Sequence, residues 1–196
     1  VWKTSNNGVT FKPLSDGLPT MISGDIAIDP QAPETLWVGT GEPNSSRSSY
    51  SGLGVFVSRD GGASFEHAGL TDADRIARVR VDPKDSQGLF VAVQGPLYTP
   101  GGKRGIFRTS DGGKSWQQVL AGDGEWTGAI DLIFDPRDSK TIYAAMWERQ
   151  SSDEGEAGMP RAVTQPSSAT AKHAPATQWP PTSGMPMSRP PPRLPS

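Results

Sequence analysis

The feature that most constrains the fold of this chain is an eight-residue phrase that occurs three times. The copies begin at Thr4, Ser58 and Thr109, so the intervals between them are 54 and then 51 positions. Each copy has a hydroxyl residue, an Asp or Asn two positions later, a Gly at its fifth position and an aromatic residue at its end. Self-similarity at this period predicts a repeat array or a propeller. The residues at these positions are Thr4, Asn6, Gly8 and Phe11; Ser58, Asp60, Gly62 and Phe65; and Thr109, Asp111, Gly113 and Trp116.

The phrase accounts for its own local structure. Short apolar runs at 54–57 and 105–108 precede two of the copies, and an aromatic residue closes each one. Asp-Gly-Gly between two such runs predicts a β-hairpin, because Gly tolerates positive φ and Asp accepts hydrogen bonds from nearby backbone amides. Asn6 keeps the acceptor and loses only the charge. A repeated feature that explains its own turn is structural in the first instance, which leaves a catalytic or metal-binding role as the weaker interpretation.

A second repeated phrase lies between the turns and predicts the rest of each unit. Asp-Pro pairs at 29–30, 82–83 and 135–136 each end an apolar run, and another short apolar run follows each pair. Proline cannot donate to a β-ladder, so it ends a strand there. Calling these two strands A and B, and the strands of the hairpin C and D, gives a four-stranded propeller blade.

The expected fold class is therefore all-β, a partial β-propeller with two complete blades flanked by two half-blades. The complete blades are expected at about 26–68 and 79–120, and the half-blades at about 1–14 and 130–146. A closed ring needs at least four blades, so the remaining blades of a parent protein, or a partner, are needed for closure.

The repeats carry a family resemblance over residues 1–149. The eight-residue phrase resembles the Asp-box, or bacterial neuraminidase repeat, of sialidase-like and sortilin-like β-propellers. The runs at 39–46, 54–70 and 127–147 resemble bacterial sortilin-type repeat proteins that are often labelled glycosyl hydrolases by similarity. A photosystem-assembly type of propeller, which shares the repeat, is a third interpretation. The resemblance implies a parent protein exported from a bacterial cell.

Residues 150–196 have a different composition, rich in Pro, Ser and Ala. Such a segment buries too little apolar area to fold, so we expect it to be disordered. The next copy of the repeated phrase is due near residue 161 and does not occur there. A natural Pro-rich linker and a frame-shifted reading of the gene both explain the change, and both stay open.

Composition excludes several function classes. A net charge of −2 argues against a general nucleic-acid binder. The absence of Cys excludes disulfides and thiolate chemistry, and the two His lie far apart in unlike segments, so no metal site and no cofactor is expected. No apolar run approaches the length of a membrane span.

The candidate binding residues come from the B–C and D–A connections, which meet on one face of a propeller. Aromatic residues beside carboxylates and arginines there suit a protein or glycan ligand, although ordinary loop polarity explains any one of them. Glycoside hydrolysis needs two carboxylates, and no pattern in the sequence identifies such a pair, so no catalytic residue is assignable. The main interpretation is a non-catalytic, sortilin-like scaffold; the alternative is part of a sialidase- or xyloglucanase-like hydrolase whose catalytic carboxylates lie mostly outside this segment. The candidates are Glu42, Asn44, Arg47, Tyr50, Arg75, Tyr98, Arg104, Glu125 and Trp126.

Overall fold

The computed structural model describes residues 1–44, 49–148 and 171–173, the last three by their backbone alone. In these ranges the regular structure is all β, as the repeats predict. The strands are β1 Trp2–Lys3, β2 Lys12–Pro13, β3 Ser23–Ile28, β4 Leu36–Thr40, β5 Val55–Ser58, β6 Glu66–His67, β7 Ile76–Asp82, β8 Asp85–Val93, β9 Gly105–Thr109, β10 Gln117–Leu120, β11 Thr127–Phe134, β12 Ile142–Glu148 and β13 Ala171–His173.

Two four-stranded antiparallel sheets form the centre of the molecule. Their strand orders are β3-β4-β5-β6 and β7-β8-β9-β10, so each sheet is a meander in which sequence neighbours pair. These are the two complete blades that the sequence predicts, with A at β3 or β7 and D at β6 or β10. The prediction of a partial β-propeller is confirmed.

Shorter sheets flank the complete blades. At one end β1 pairs with β2, with Trp2 opposite Pro13, which gives the predicted C–D half-blade. At the other end β11 pairs with β12, which gives the predicted A–B half-blade. The sequence did not predict β13, whose residues 171–173 pair with 143–145 of β12 and occupy the position of a strand C. The rest of the Pro-rich segment lies outside the described residues, and its division from the propeller at residue 149 stays a prediction.

The hydrophobic core lies between neighbouring blades. Strand β8 shows why, because its side chains alternate between two buried clusters. Leu89, Val91 and Val93 pack with residues of the first complete blade, whereas Phe90 and Ala92 pack with residues of β11 and β12. A strand that is covered on both faces in this way has a continuous apolar sequence rather than an alternating one.

The A strands of successive blades are joined by ion pairs. Arg80 of β7 lies 2.8 Å from Asp25 of β3, and Arg78 of the same strand lies 2.8 Å from Asp131 of β11. Asp25 also accepts a hydrogen bond of 2.9 Å from the amide of Val79. The A strand of the second complete blade therefore presents cations to a carboxylate on either side.

Among the described residues, no helix has the length and apolar character needed to cross a membrane.

Candidate functional site

The B–C and D–A connections lie side by side and are joined by backbone hydrogen bonds. The amide of Gly52 donates to the carbonyl of Asp74 at 2.6 Å, and that of Gly101 donates to Glu125 at 2.8 Å. Each bond links a B–C loop to the D–A connection that follows the same blade. We call the surface formed by residues 41–44, 49–54, 70–75, 94–104 and 121–126 the loop face.

The loop face exposes aromatic and polar side chains together. Tyr50 is 59% exposed and Tyr98 is 44% exposed, which is high for aromatic residues in a folded domain. Asn44 and Glu125 are exposed. Glu42 and Trp126 are half-buried, and Arg47 lies outside the described residues.

Arg104 is a loop-face candidate that lies beneath the surface. The residue is 5% exposed, and its guanidinium donates to five backbone carbonyls. Four of these belong to its own loop and one belongs to Trp126, whose ring centroid is 5.9 Å from Arg104 Cζ. The distances are 2.8 Å to Gly101 and Gln94, 2.9 Å to Thr99 and 3.4 Å to Trp126, with a further close contact to Pro96.

Arg75 has a similar place in the first complete blade. The residue is 2% exposed, forms an ion pair with its neighbour Asp74, and donates to the carbonyl of Ser49 at 3.2 Å. Its Nε is buried without a partner. Both arginines thus hold loop backbone. That Arg75 and Arg104 contribute to ligand binding stays a prediction. Because both side chains are buried, any contribution would come from the loop conformations that they stabilise.

The carboxylates of the loop face are mostly engaged with cations or loop backbone. Asp74 pairs with Arg75, and Asp72 lies 3.5 Å from Lys103. Glu125 is exposed, and its carbonyl anchors Gly101. Within the described ranges, no group of three or more His, Asp or Glu is arranged to hold a metal ion.

Two residues of the loop face were missed by the sequence analysis. The carbonyl of Asp74 accepts from Gly52 of the first B–C loop, and its carboxylate pairs with Arg75, which donates to Ser49 of that loop. Leu97 of the second B–C loop is 2% exposed. An apolar residue within an otherwise polar connection was a usable signal for Leu97. No local signal marks Asp74.

The repeated phrase forms a hydrogen-bonded turn at the C–D end of each blade, on the side opposite to the loop face. In the second copy, Asp60 Oδ1 accepts bonds from the Ser58 hydroxyl at 2.7 Å and from the amides of Ala63 and Ser64 at 2.9 Å. The Ser64 hydroxyl donates to Oδ2 at 2.6 Å. These bonds, foremost that from the Ser64 hydroxyl, hold the pKa of the Asp60 carboxyl well below its ordinary value.

The third copy repeats this geometry. Asp111 Oδ1 accepts from the Thr109 hydroxyl at 2.7 Å and from the Ser115 amide at 2.9 Å. The Ser115 hydroxyl, and after it that of Thr109, lowers the pKa of Asp111 to about 2. The glycines at 112 and 113 have φ of 69° and 90°, the left-handed conformation that the sequence predicts for them.

The first copy reaches the same turn without a charge. Asn6 Oδ1 accepts from the Thr10 amide at 2.9 Å, and Asn6 Nδ2 donates to the Thr10 hydroxyl at 2.8 Å. Asn7 takes the place of the first glycine with φ of 53°, a conformation that Asn tolerates better than most residues. All three carboxylate or amide groups are therefore used within their own turns.

Comparison with known proteins gives the class of fold. No family model matches the chain. A crystal structure of an ancestral GH74 enzyme superposes with a TM-score of 0.55 at 20% identity, over 74% of this chain and 18% of that one. This similarity supports the propeller fold and nothing finer.

Two curated proteins are similar in sequence. A xyloglucanase from Paenibacillus sp is 29% identical over 146 residues, which cover 73% of this chain and 13% of that protein. An oligoxyloglucan-reducing end-specific xyloglucanase from Emericella nidulans is 25% identical over 135 residues, which cover 62% of this chain and 15% of that protein. The chain thus spans about one seventh of the length of these relatives. Both similarities favour the glycoside-hydrolase alternative over the sortilin-like scaffold.

Proposed function

We propose that this chain is a segment of a β-propeller glycoside hydrolase that acts on xyloglucan, and that its loop face supplies part of the glycan-binding surface. The observation that carries the proposal is the similarity to two xyloglucanases over 146 and 135 residues, which cover 73% and 62% of this chain. As an exported enzyme, the parent protein would meet such a polysaccharide outside the cell.

The chemistry of the loop face suits a polysaccharide. Sugar rings present apolar C–H faces and polar edges, so they bind where aromatic rings lie beside hydrogen-bonding groups. Tyr50 and Tyr98 are exposed on this face, and Glu125 and Asn44 lie among the same connections. Large aromatic side chains left in solvent by a folded domain mark interaction sites when they occur together.

Hydrolysis itself is assigned to the parent protein rather than to this segment. Glycoside hydrolysis requires two carboxyl groups flanking the scissile bond. Asp72 and Asp74 are ion-paired, and the aspartates of the turns accept hydrogen bonds within their own turns, so these groups are poor candidates. Asp123 and Glu125 are both exposed on this face, and Glu125 is the proposed candidate for a catalytic or binding role.

The turns are proposed to be Asp-boxes with a structural role, as their resemblance to the sialidase-like and sortilin-like repeats implies. The support is the shared hydrogen-bond pattern of the three copies, including the uncharged copy at Asn6. A catalytic aspartate would not tolerate that exchange.

A binding experiment with a matched control tests the glycan surface. We expect xyloglucan oligosaccharides to bind the 196-residue chain in isothermal titration calorimetry, and Tyr98→Ala to weaken binding about tenfold, or about 1.4 kcal/mol. Tyr143, on β12 outside the loop face, is 43% exposed and provides a control of equal exposure. Tyr143→Ala should leave the affinity unchanged.

Three outcomes would overturn the proposal or its parts. If xyloglucan oligosaccharides do not bind, the proposal of a glycan-binding surface is wrong. If both tyrosine variants lose affinity equally, that surface is not the loop face. Turnover of xyloglucan by the purified chain, lost in Glu125→Gln, would place catalysis within this segment.

A further inference from the structure

The second B–C loop is wrapped around a single buried cation. Residues 94–104 leave strand β8, circle the side chain of Arg104 and return to strand β9. Carbonyl groups at 94, 96, 99 and 101 all point at its guanidinium, and a fifth carbonyl comes from Trp126 across the blade boundary. The side chain thus ties together most of one loop and the start of the next A strand.

Arginine suits this position better than any other side chain. Its guanidinium is planar, carries five N–H donors in a fixed fork and has no acceptor, and five carbonyls surround it here. Lysine offers three donors from a tetrahedral nitrogen and would leave carbonyls unpaired. Burial lowers the pKa of Arg104 and Asp74 opposes that shift, which is the behaviour of a cation held inside the protein.

The backbone is shaped to admit the side chain. Gly95 has φ of 82°, and a Cβ added there would lie 2.5 Å from Arg104 Cγ. A second tie comes from Gln118 of β10, whose Nε2 donates to the carbonyl of Arg104 at 2.6 Å. The loop therefore has one conformation that fits the cation and little room for another.

Two aromatic side chains depend on this arrangement. Tyr98 lies within the segment that circles Arg104, between the carbonyl groups of Pro96 and Thr99. Trp126 contacts the guanidinium through its carbonyl and its ring. Fixing the loop before a ligand arrives reduces the entropy that binding must overcome.

We propose that Arg104 is a positioning residue that holds the 94–104 loop and Trp126 in the conformation that presents Tyr98 to a glycan. The glycan part of this inference rests on the proposed function above. The loop-ordering part does not, and the two can be measured separately.

Hydrogen–deuterium exchange tests loop ordering without any ligand. Arg104→Met removes all five donors and keeps the length of the stem, so we expect exchange of the 94–104 amides, including that of Gly101, to rise at least tenfold. Arg137→Met also removes one positive charge, but the Arg137 side chain is exposed, pairs with Asp135 and lies in the A–B turn of the neighbouring half-blade, on the side opposite to the loop face. The exchange of loop 94–104 should not change in that control.

A double-mutant cycle tests whether Arg104 acts through Tyr98. If it does, Arg104→Met weakens binding of xyloglucan oligosaccharides about as much as Tyr98→Ala, and the double variant is no weaker than either. A direct contact between Arg104 and the glycan, or a general loss of stability, would make the two losses add. Arg137→Met is again the control and should leave the affinity unchanged.

The outcomes separate this inference from the proposed function. Unchanged exchange in loop 94–104, or additive losses of affinity, would overturn the role of Arg104. If the unaltered chain does not bind the oligosaccharides, the proposed function fails, and the exchange measurement still decides the ordering role. Should Arg104→Met fail to fold, Arg104→Lys keeps the charge and three donors and should show the same changes at smaller size.

Discussion

Ser115 donates two hydrogen bonds to Asp111, one from its amide to Oδ1 at 2.9 Å and one from its hydroxyl to Oδ2 at 2.5 Å. Asn6 and Thr10 form the same pair of links in the first copy with the second donor reversed, since Asn6 Nδ2 donates to the Thr10 hydroxyl. The chain itself therefore shows that an amide can replace the carboxylate in this turn.

The first prediction follows from the presence of Asn6 in one copy of the turn where the other copies have Asp. Asp111→Ala removes the acceptors of the turn and should lower the free energy of unfolding by about 1–2 kcal/mol. Asp111→Asn keeps an acceptor for the Ser115 amide and should cost much less. Urea unfolding midpoints measure both changes. Equal losses in the two variants would show that charge, and not hydrogen bonding, stabilises the turn.

The second prediction concerns acid. The pKa of Asp111 is about 2 in the fold and ordinarily 3.8. Because the folded-state pKa is lowered, the stability that this carboxylate contributes is complete above about pH 4 and is lost as the pH falls toward 2. The pKa values of Asp60 and Asp135 are lowered in the same direction. We expect the unfolding free energy to fall across this window, and less steeply in Asp111→Asn, which has no proton to gain there. An identical slope in both proteins would contradict the prediction.

The sequence predicted the turns and the blades because their causes are local. Gly61, Gly62, Gly112 and Gly113 adopt positive φ, as the Asp-Gly-Gly phrase requires, and the Asp-Pro pairs end the A strands or begin the turns after them. A repeat also supplies its own check, since each blade must satisfy the same pattern. The first and last residues predicted for each blade differ from those in the structure by up to about three positions.

The loop face was harder to predict because its organisation depends on distant backbone. The sequence places Arg75 and Arg104 among polar loop residues, where exposure is the usual outcome. Their partners are carbonyl groups, which every residue carries and no sequence motif marks. The strand at 171–173 was missed for a related reason, because a composition too polar to form a core can still pair with an open strand edge.

The third prediction distinguishes the two ion pairs between A strands. Asp25 accepts from both Arg80 and the Val79 amide, so Asp25→Ala also leaves a backbone donor without that acceptor and should cost about 1–2 kcal/mol. Asp25→Asn keeps an acceptor for the amide and should recover most of the loss. Asp131 also accepts an amide bond, at 2.9 Å from its own neighbour Leu132, but its pair with Arg78 is more exposed, and Asp131→Ala should cost less than about 1 kcal/mol. Equal costs for the two alanine variants would mean that the bond from Val79 to Asp25, which joins two blades, stabilises the fold no more than the local bond from Leu132 to Asp131.

The last prediction concerns the contact between the two complete blades. Trp116 Nε1 donates to the carbonyl of Ala68 at 2.7 Å, and a Cβ at Gly69 would lie 2.7 Å from the same nitrogen. Trp116→Phe keeps an aromatic residue, as Phe65 shows the turn allows, but loses this bond and should cost about 1 kcal/mol.

Gly69→Ala should be costly for two reasons, a φ of 96° and the clash with the indole. Only the clash depends on Trp116, so Gly69→Ala should cost less in the Trp116→Phe protein than in the unaltered one. A double-mutant cycle from urea unfolding should therefore show coupling of at least about 0.5 kcal/mol. Additive losses would mean that the indole does not hold the second complete blade against the first, and that the buried cluster and the contacts of Asp25 with Val79 and Arg80 fix the two blades.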